Sequence, residues 1–159
     1  MPKINSESIR IKGRIKLIMK DVITGEIDDS GWIQNLITTA GKAALLRRMG
    51  NRGVLSNEGM VTYGAVGNGA SVVPAIGDTI LSSELARKVL SYSTVVGLVL
   101  TLRVYYNTSE ANGTLTEFGW FGEAATASAN TGTLFNHCNI SKTKTPSKTL
   151  TVVQEFTFA

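Results

Sequence analysis

Histidine and cysteine are nearly absent from this chain: one of each occurs, His137 and Cys138. A lone cysteine excludes an intrachain disulfide, so cysteine usage gives no argument for an oxidising compartment. Structural zinc takes about four His, Cys or carboxylate ligands, which this inventory fails to supply in the usual combinations. Also missing is any run of about 18 apolar residues, and with it a transmembrane helix. The opening stretch MPKINSESIRIKGRIK is polar and charged and lacks the apolar core of a signal peptide. Charged residues make up 18% and apolar residues 43% of 159, a globular composition rather than a disordered one. The net charge of +4 is too small by itself to imply a nucleic-acid partner.

What the chain does contain is glycine, 16 residues of it, together with many Thr, Ser and Asn. These are turn residues, and Thr also suits strands. Period-two alternation is the dominant pattern. Over residues 9–20, Ile9, Ile11, Ile15, Leu17 and Met19 share one face, while Arg10, Lys12, Arg14, Lys16 and Lys20 share the other. That predicts a long half-buried strand with a cationic outer face. Thr24-Gly25 then predicts a hairpin turn, with Glu26 to Asp28 running back toward Trp32 and Ile33.

One helix is predicted around residues 39–49. Thr38 or Thr39 can cap it, Arg47 and Arg48 lie in its last turn, and Gly50 stands at its stop. Strands are predicted over Met60–Val66, from Val89 to Val95, from Gly97 to Tyr106, over Leu115–Phe121, Thr133–Ser141 and Leu150–Phe158. Residues 122–132 read as an exposed loop. Thr79–Lys88 fits either a short helix or a strand. Many short strands divided by turn signals predict a mostly β chain, an antiparallel sandwich or small barrel, with one helix covering an edge or end.

Catalytic patterns are sparse. His137 and Cys138 are neighbours in a predicted strand, so they point to opposite faces and cannot form a dyad. Glu110, Glu117 and Glu123 lie in or beside predicted turns, where solvated surface charge is the expectation. Gly67-Asn68-Gly69 lacks the rest of a phosphate-binding loop and reads as a turn. No catalytic residue, metal site or cofactor is therefore predicted. The cationic face of Arg10, Lys12, Arg14, Lys16 and Lys20 has two readings: charge that protects an edge strand, or a surface that docks on an acidic partner. Nucleic acid is not the expected partner, because no aromatic residue interrupts this stretch.

Several short motifs follow one another in a specific order. Tyr63-Gly64-Ala65-Val66-Gly67-Asn68-Gly69 precedes Pro74, Asp78-Thr79 and Leu81 to Lys88, the last containing Glu84 and Arg87. Later come Ser109-Glu110-Ala111-Asn112-Gly113, then Thr114 to Phe121, and a Thr-rich final strand. With the helix approach Asn35 to Gly41, this order resembles the small virion structural proteins of tailed bacteriophages, of tail-fibre, collar or capsid-decoration type. The resemblance implies one jelly-roll-like β-sandwich domain over residues 1–159, with residues 1–9 as an extended N-terminal arm. It implies a virion protein assembled in the host bacterial cytoplasm, without catalysis and without a membrane. Its partners would be its own copies, as a homo-oligomer with a trimer favoured, and the major capsid or tail proteins. Because the chain stops at Ala159 straight after its last strand, a decoration, cement or adaptor module is expected rather than a whole fibre. The alternative is a tail-tip protein that binds a receptor or glycan through loop aromatics such as Trp120 and Phe121. Glu84 and Arg87, three apart, would pair if their segment forms a helical turn.

Overall fold

A computed structural model describes residues 8–50, 57–70 and 73–159. The segment 1–7, which holds most of the expected N-terminal arm, lies outside the described residues, as does 51–56 of the loop after the helix. Just over half of the described residues are in strands, and the sheet is antiparallel throughout its pairs. The order along the chain is β1 (Ile11–Asp21), β2 (Ile27–Asp29), β3 (Ile33–Ile37), α1 (Thr39–Gly50), β4 (Val61–Gly67), β5 (Glu84–Val89), β6 (Tyr92–Val96), β7 (Val99–Tyr106), β8 (Gly113–Gly122), β9 (Thr133–Lys144) and β10 (Lys148–Phe158). Among the described residues no helix is long and apolar enough to cross a membrane.

The strands form one curled sheet in the order β5-β4-β8-β9-β3-β1-β10-β7-β6, with β2 paired to β1 off this path. β3 makes the bend. Ile33 to Asn35 pair with β1, and the next two residues, Leu36 and Ile37, pair with β9. The curl brings β7 to β4, where the buried Tyr106 hydroxyl donates to the Gly64 carbonyl at 2.7 Å. A Cβ on Gly64 would come within 2.7 Å of Val104, so glycine is what permits this approach. The core between the arms holds Ile15, Leu17, Met19, Leu102, Val104, Leu115, Phe118, Trp120, Leu150 and Val152. Phe118 and Trp120 meet edge to face at 5.5 Å between centroids.

Two sequence expectations need correction, and one open reading is resolved. β1 is not an edge strand, since β10 pairs along one side of it and β2 and β3 along the other. Its cations therefore do not protect a free edge. Thr79–Lys88 contains no helix; from Glu84 onward it is strand β5. Trp120 and Phe121 are not loop residues but fully buried members of β8.

Helix α1 starts where a buried threonine can act in two directions. Thr38 Oγ1 accepts from the Gly41 N–H at 2.9 Å and donates to the Leu134 carbonyl at 2.5 Å, so the cap also fastens the helix to β9. Gly41 faces β9 so closely that a Cβ would lie 2.2 Å from the Phe135 carbonyl oxygen. The other end is fixed by Arg47, whose guanidinium donates twice to Glu123 at 2.9 Å just after β8. That pairing is the main reason the Glu123 carboxyl sits below the ordinary glutamate range. Burial opposes it, while the Thr133 hydroxyl and the Gly59 N–H add to it.

Three outcomes follow. Gly41→Ala costs about 2–3 kcal/mol in urea unfolding because β9 backbone has to give way. Gly50→Ala, with nothing within 4 Å, stays within about 0.5 kcal/mol of the parent. For Glu123 the folded-state pKa is depressed, so its stabilisation is complete above the unfolded value near 4.5 and is lost as the pH falls through the folded one. Glu123→Gln thus shows a shallower drop in melting temperature than the parent between about pH 5 and about pH 3.

Candidate functional site

Successive residues of a strand alternate between faces, so the outward set of β1 is Lys12, Arg14, Lys16, Ile18 and Lys20. Register carries this face across the sheet. Lys16 lies opposite Val153, Val153 opposite Arg103, and Arg103 opposite Tyr92. One row along, Arg14 lies opposite Glu155, and Glu155 opposite Thr101. Two shallow depressions mark this surface. One is floored by Thr101, Thr151 and Val153 and walled by Lys16 and Trp32 on one side and Tyr92 and Arg103 on the other. The other holds Ile18, Lys20, Ile27 and Tyr105.

The aromatic residues here are partners of the cations. The Arg14 guanidinium stands 4.2 Å and the Lys16 ammonium 5.1 Å from the Trp32 ring centroid, and Arg103 lies 4.8 Å from that of Tyr92. Trp32, Tyr92 and Tyr105 are 39%, 45% and 44% exposed. Carboxylates neutralise only part of the charge: Glu155 takes Arg14 at 2.6 Å, and Asp29 takes Lys16 at 3.5 Å. Among the described residues Lys12, Lys20 and Arg103 have no carboxylate partner. Arg10 precedes β1, where its backbone pairs with Ala159. The basic stretch lacks aromatics of its own, but neighbouring strands supply them, and no pattern within residues 10–20 could reveal this. The same-face placement of Arg103 and Tyr105 was legible; their position beside β1 depends on strand order.

Glu84 and Arg87 do meet, though not through a helical turn. The pairing of β4 with β5 slips between Val66 and Gly67, so β5 carries one extra residue at Leu85. That bulge changes the alternation and brings residues three apart onto one side. The pair is bidentate at 2.5 and 2.7 Å, and both side chains are almost fully buried. Arg87 also donates to the Thr126 and Thr131 carbonyls and stands 4.5 Å from the Phe121 ring centroid, while Glu84 accepts from the Asn130 N–H. The pair thus fixes the 123–132 loop against the β5 edge.

Glu117 is not a solvated surface charge; it is fully buried on β8. Its two oxygens accept from the Ser82 and Ser83 N–H groups at 2.9 and 2.8 Å, and one also faces His137 Nε2 at 2.9 Å. The other ring nitrogen, Nδ1, faces Asp78 at 2.6 Å. Glu110 and Glu123 are likewise paired, with Lys88 and Arg47. For Asp78, burial tends to raise the carboxyl pKa, but the Ala75 N–H and His137 outweigh it and hold it below the aspartate range. With a carboxylate at each nitrogen, His137 has no free position from which to act as a base toward a hydroxyl or thiol. Cys138 faces the other way, into the core, where burial pushes its thiol up to about 12. The arrangement is a clamp that holds the 75–83 loop on the outer side of β8 and β9. Among the described residues no group of three or more His, Cys, Asp or Glu is placed to hold a metal ion.

Removal of the ring by His137→Ala leaves Glu117 buried beside backbone donors only. It lowers unfolding free energy by about 3 kcal/mol in urea titration. Compared with known proteins, the chain matches no family model, no curated protein and no solved structure.

Proposed function

We propose that this chain is a non-enzymatic structural module of a tailed-phage particle, which self-associates and docks on an acidic surface of a capsid or tail protein. The observation that carries the docking is the outward face of β1, β10, β7 and β6. Lys12, Arg14, Lys16, Lys20 and Arg103 stand there against Asp29 and Glu155, and β1 and β7, which carry these cations, are held on both sides. A rigid face with surplus positive charge and half-exposed aromatics favours a negatively charged protein surface. It gains steering from the charge and contact area from the rings. The phage setting is carried by the order of the sequence motifs alone. We read the curled sheet as a jelly-roll-like sandwich whose two arms are joined at β3.

A second reading has an observation in its favour. Trp32 and Tyr92 flank a shallow depression, the arrangement that sugar rings stack against, so a tail-tip protein binding a glycan or receptor is the alternative. These residues replace the buried Trp120 and Phe121 as its candidate contacts.

Co-sedimentation with purified particles lacking the protein tests the docking. Lys12→Glu combined with Lys20→Glu weakens particle binding by about tenfold or more, and raising the salt has the same direction of effect on the parent. Undiminished binding by the double variant removes the cationic face from docking. Glycan-array signal lost in Trp32→Ala favours the second reading instead. Equal affinity for duplex DNA would mark the face as a nucleic-acid surface.

A further inference from the structure

We infer that the free edge of β6 is the surface through which two copies of this chain pair, strand to strand and antiparallel, about a two-fold axis at Thr94. This deepens the self-association in the proposed function and rests on that reading only for the claim that copies associate.

The two ends of the sheet are treated differently. At the β5 end, the bulge at Leu85 and the charged residues Glu84, Arg87 and Lys88 guard the edge. At the β6 end, the strand Tyr-Ser-Thr-Val-Val has no charge, no proline and no bulge between Tyr92 and Val96. Val95 and Val96 are 68% and 72% exposed. An uncharged, β-prone, open edge is a template for another strand, and folded proteins seldom leave one unguarded.

The hairpin turn decides which groups are free. Gly97, with φ of +57°, and Leu98 form a two-residue turn closed by Val96 and Val99. The closing pair is hydrogen-bonded, so Val96, Thr94 and Tyr92 direct their backbone groups to β7. Ser93 and Val95 direct theirs away. Among the described residues nothing is bonded to the N–H or carbonyl of either.

This pattern complements itself. With Thr94 on the axis, Ser93 lies opposite the partner's Val95 and exchanges both hydrogen bonds with it, and Val95 does the same with the partner's Ser93. Tyr92 meets the partner's Val96, an aromatic on a β-branched residue. No like charges face one another. The inner side of the edge supplies a further reason. Ser93 lines an apolar cavity of about 270 Å³, together with Leu90, Leu100, Leu102, Met60 and Phe156. The partner's Val95, beside Ser93 and on the same side of the joined sheet, lies over the mouth of that cavity. Two valines that are exposed in a single copy thereby become the lids of each other's cavities. Such an isologous contact closes at two copies, so the assembly is a dimer rather than the trimer that the sequence resemblance implies.

Sedimentation velocity combined with cysteine crosslinking tests this on the full chain. Thr94→Cys places two thiols on the axis, at a Cα separation of about 4.5 Å for a non-hydrogen-bonded pair, within disulfide reach. Under mild oxidant the variant becomes a covalent dimer, whereas Thr101→Cys, on the same face but one strand inward, does not. Cys138 is buried and stays out of the reaction. Val95→Lys, at a site exposed in the single copy, keeps the circular dichroism of the parent and raises the dimer dissociation constant at least about tenfold by placing an unpaired charge in the contact. An assembled parent in which Thr94→Cys fails to crosslink, or Val95→Lys fails to dissociate, overturns the β6 edge while leaving self-association standing. A parent that remains monomeric at every concentration overturns both.

Discussion

Everything else in this fold depends on a buried set of amides at the bend of the sheet. A curl interrupts ladder hydrogen bonds, and each backbone group left unpaired inside a protein costs about 1–3 kcal/mol. Here side-chain amides tie the strands together across the bend. Gln154 Nε2 donates to the Arg14 carbonyl at 3.0 Å, the Glu155 carbonyl at 2.9 Å and Asn35 Oδ1 at 3.0 Å. Asn136 Nδ2 donates to Gln154 Oε1 at 2.8 Å, and Asn136 Oδ1 accepts from the Trp120 N–H at 3.0 Å, where the pairing of β8 with β9 slips by a residue. Gly13 completes the arrangement. A Cβ there would stand 2.3 Å from Asn35 Oδ1, so glycine opposite Asn35 is what leaves room for the amide. The cationic face, the apolar cavity and the two sheet ends all take their positions from this bend.

Charge is divided between two uses. The titratable groups on the outer side of the β4, β8 and β9 arm are engaged with one another: the buried Glu84 with Arg87, and the buried Glu117 and half-buried Asp78 with His137. They order loops that lack enough apolar surface to hold themselves down. Leu81 is the one large apolar side chain of the 75–83 loop that is fully buried, packed with Ala65, Phe121 and Leu134. On the other arm the cations face solvent and are only partly neutralised. Buried pairs fix geometry because breaking them leaves a stranded charge, whereas exposed ones remain open to a partner.

Much of this was legible in the sequence. The two faces of β1, the inward Leu102, Val104 and Tyr106 of β7, and a helix bounded by Thr38 and Gly50 follow from period and capping chemistry, which are local. What was not legible depends on partners distant in sequence or on a single inserted residue. Glu117 looked solvated because nothing nearby in the chain shows that Ser82, Ser83 and His137 will close over it. Leu85 hides in an ordinary alternation, yet its bulge sets whether Glu84 and Arg87 meet. β1 resembled an edge strand because its outer side is charged, and strand order alone reveals that β10 lies beside it. The aromatics of the cationic face were visible singly, in Trp32, Tyr92 and Tyr105, but not as neighbours.

The pairing of β1 with β10 also sets a constraint in time. Arg14 and Glu155 are separated by 141 positions, so β1 is made well before the β10 it pairs with. At cellular synthesis rates that wait is roughly 7–28 s. Until then β1, with Ile15, Leu17 and Met19 on its apolar side, has only the short β2 and β3 as strand partners. A nascent strand with such a side is prone to wrong association. Charge at nearly every second position, from Lys12 to Lys20, lets this one stay soluble until its mate arrives. The residues that face outward in the finished sheet thus act first as gatekeepers of its assembly.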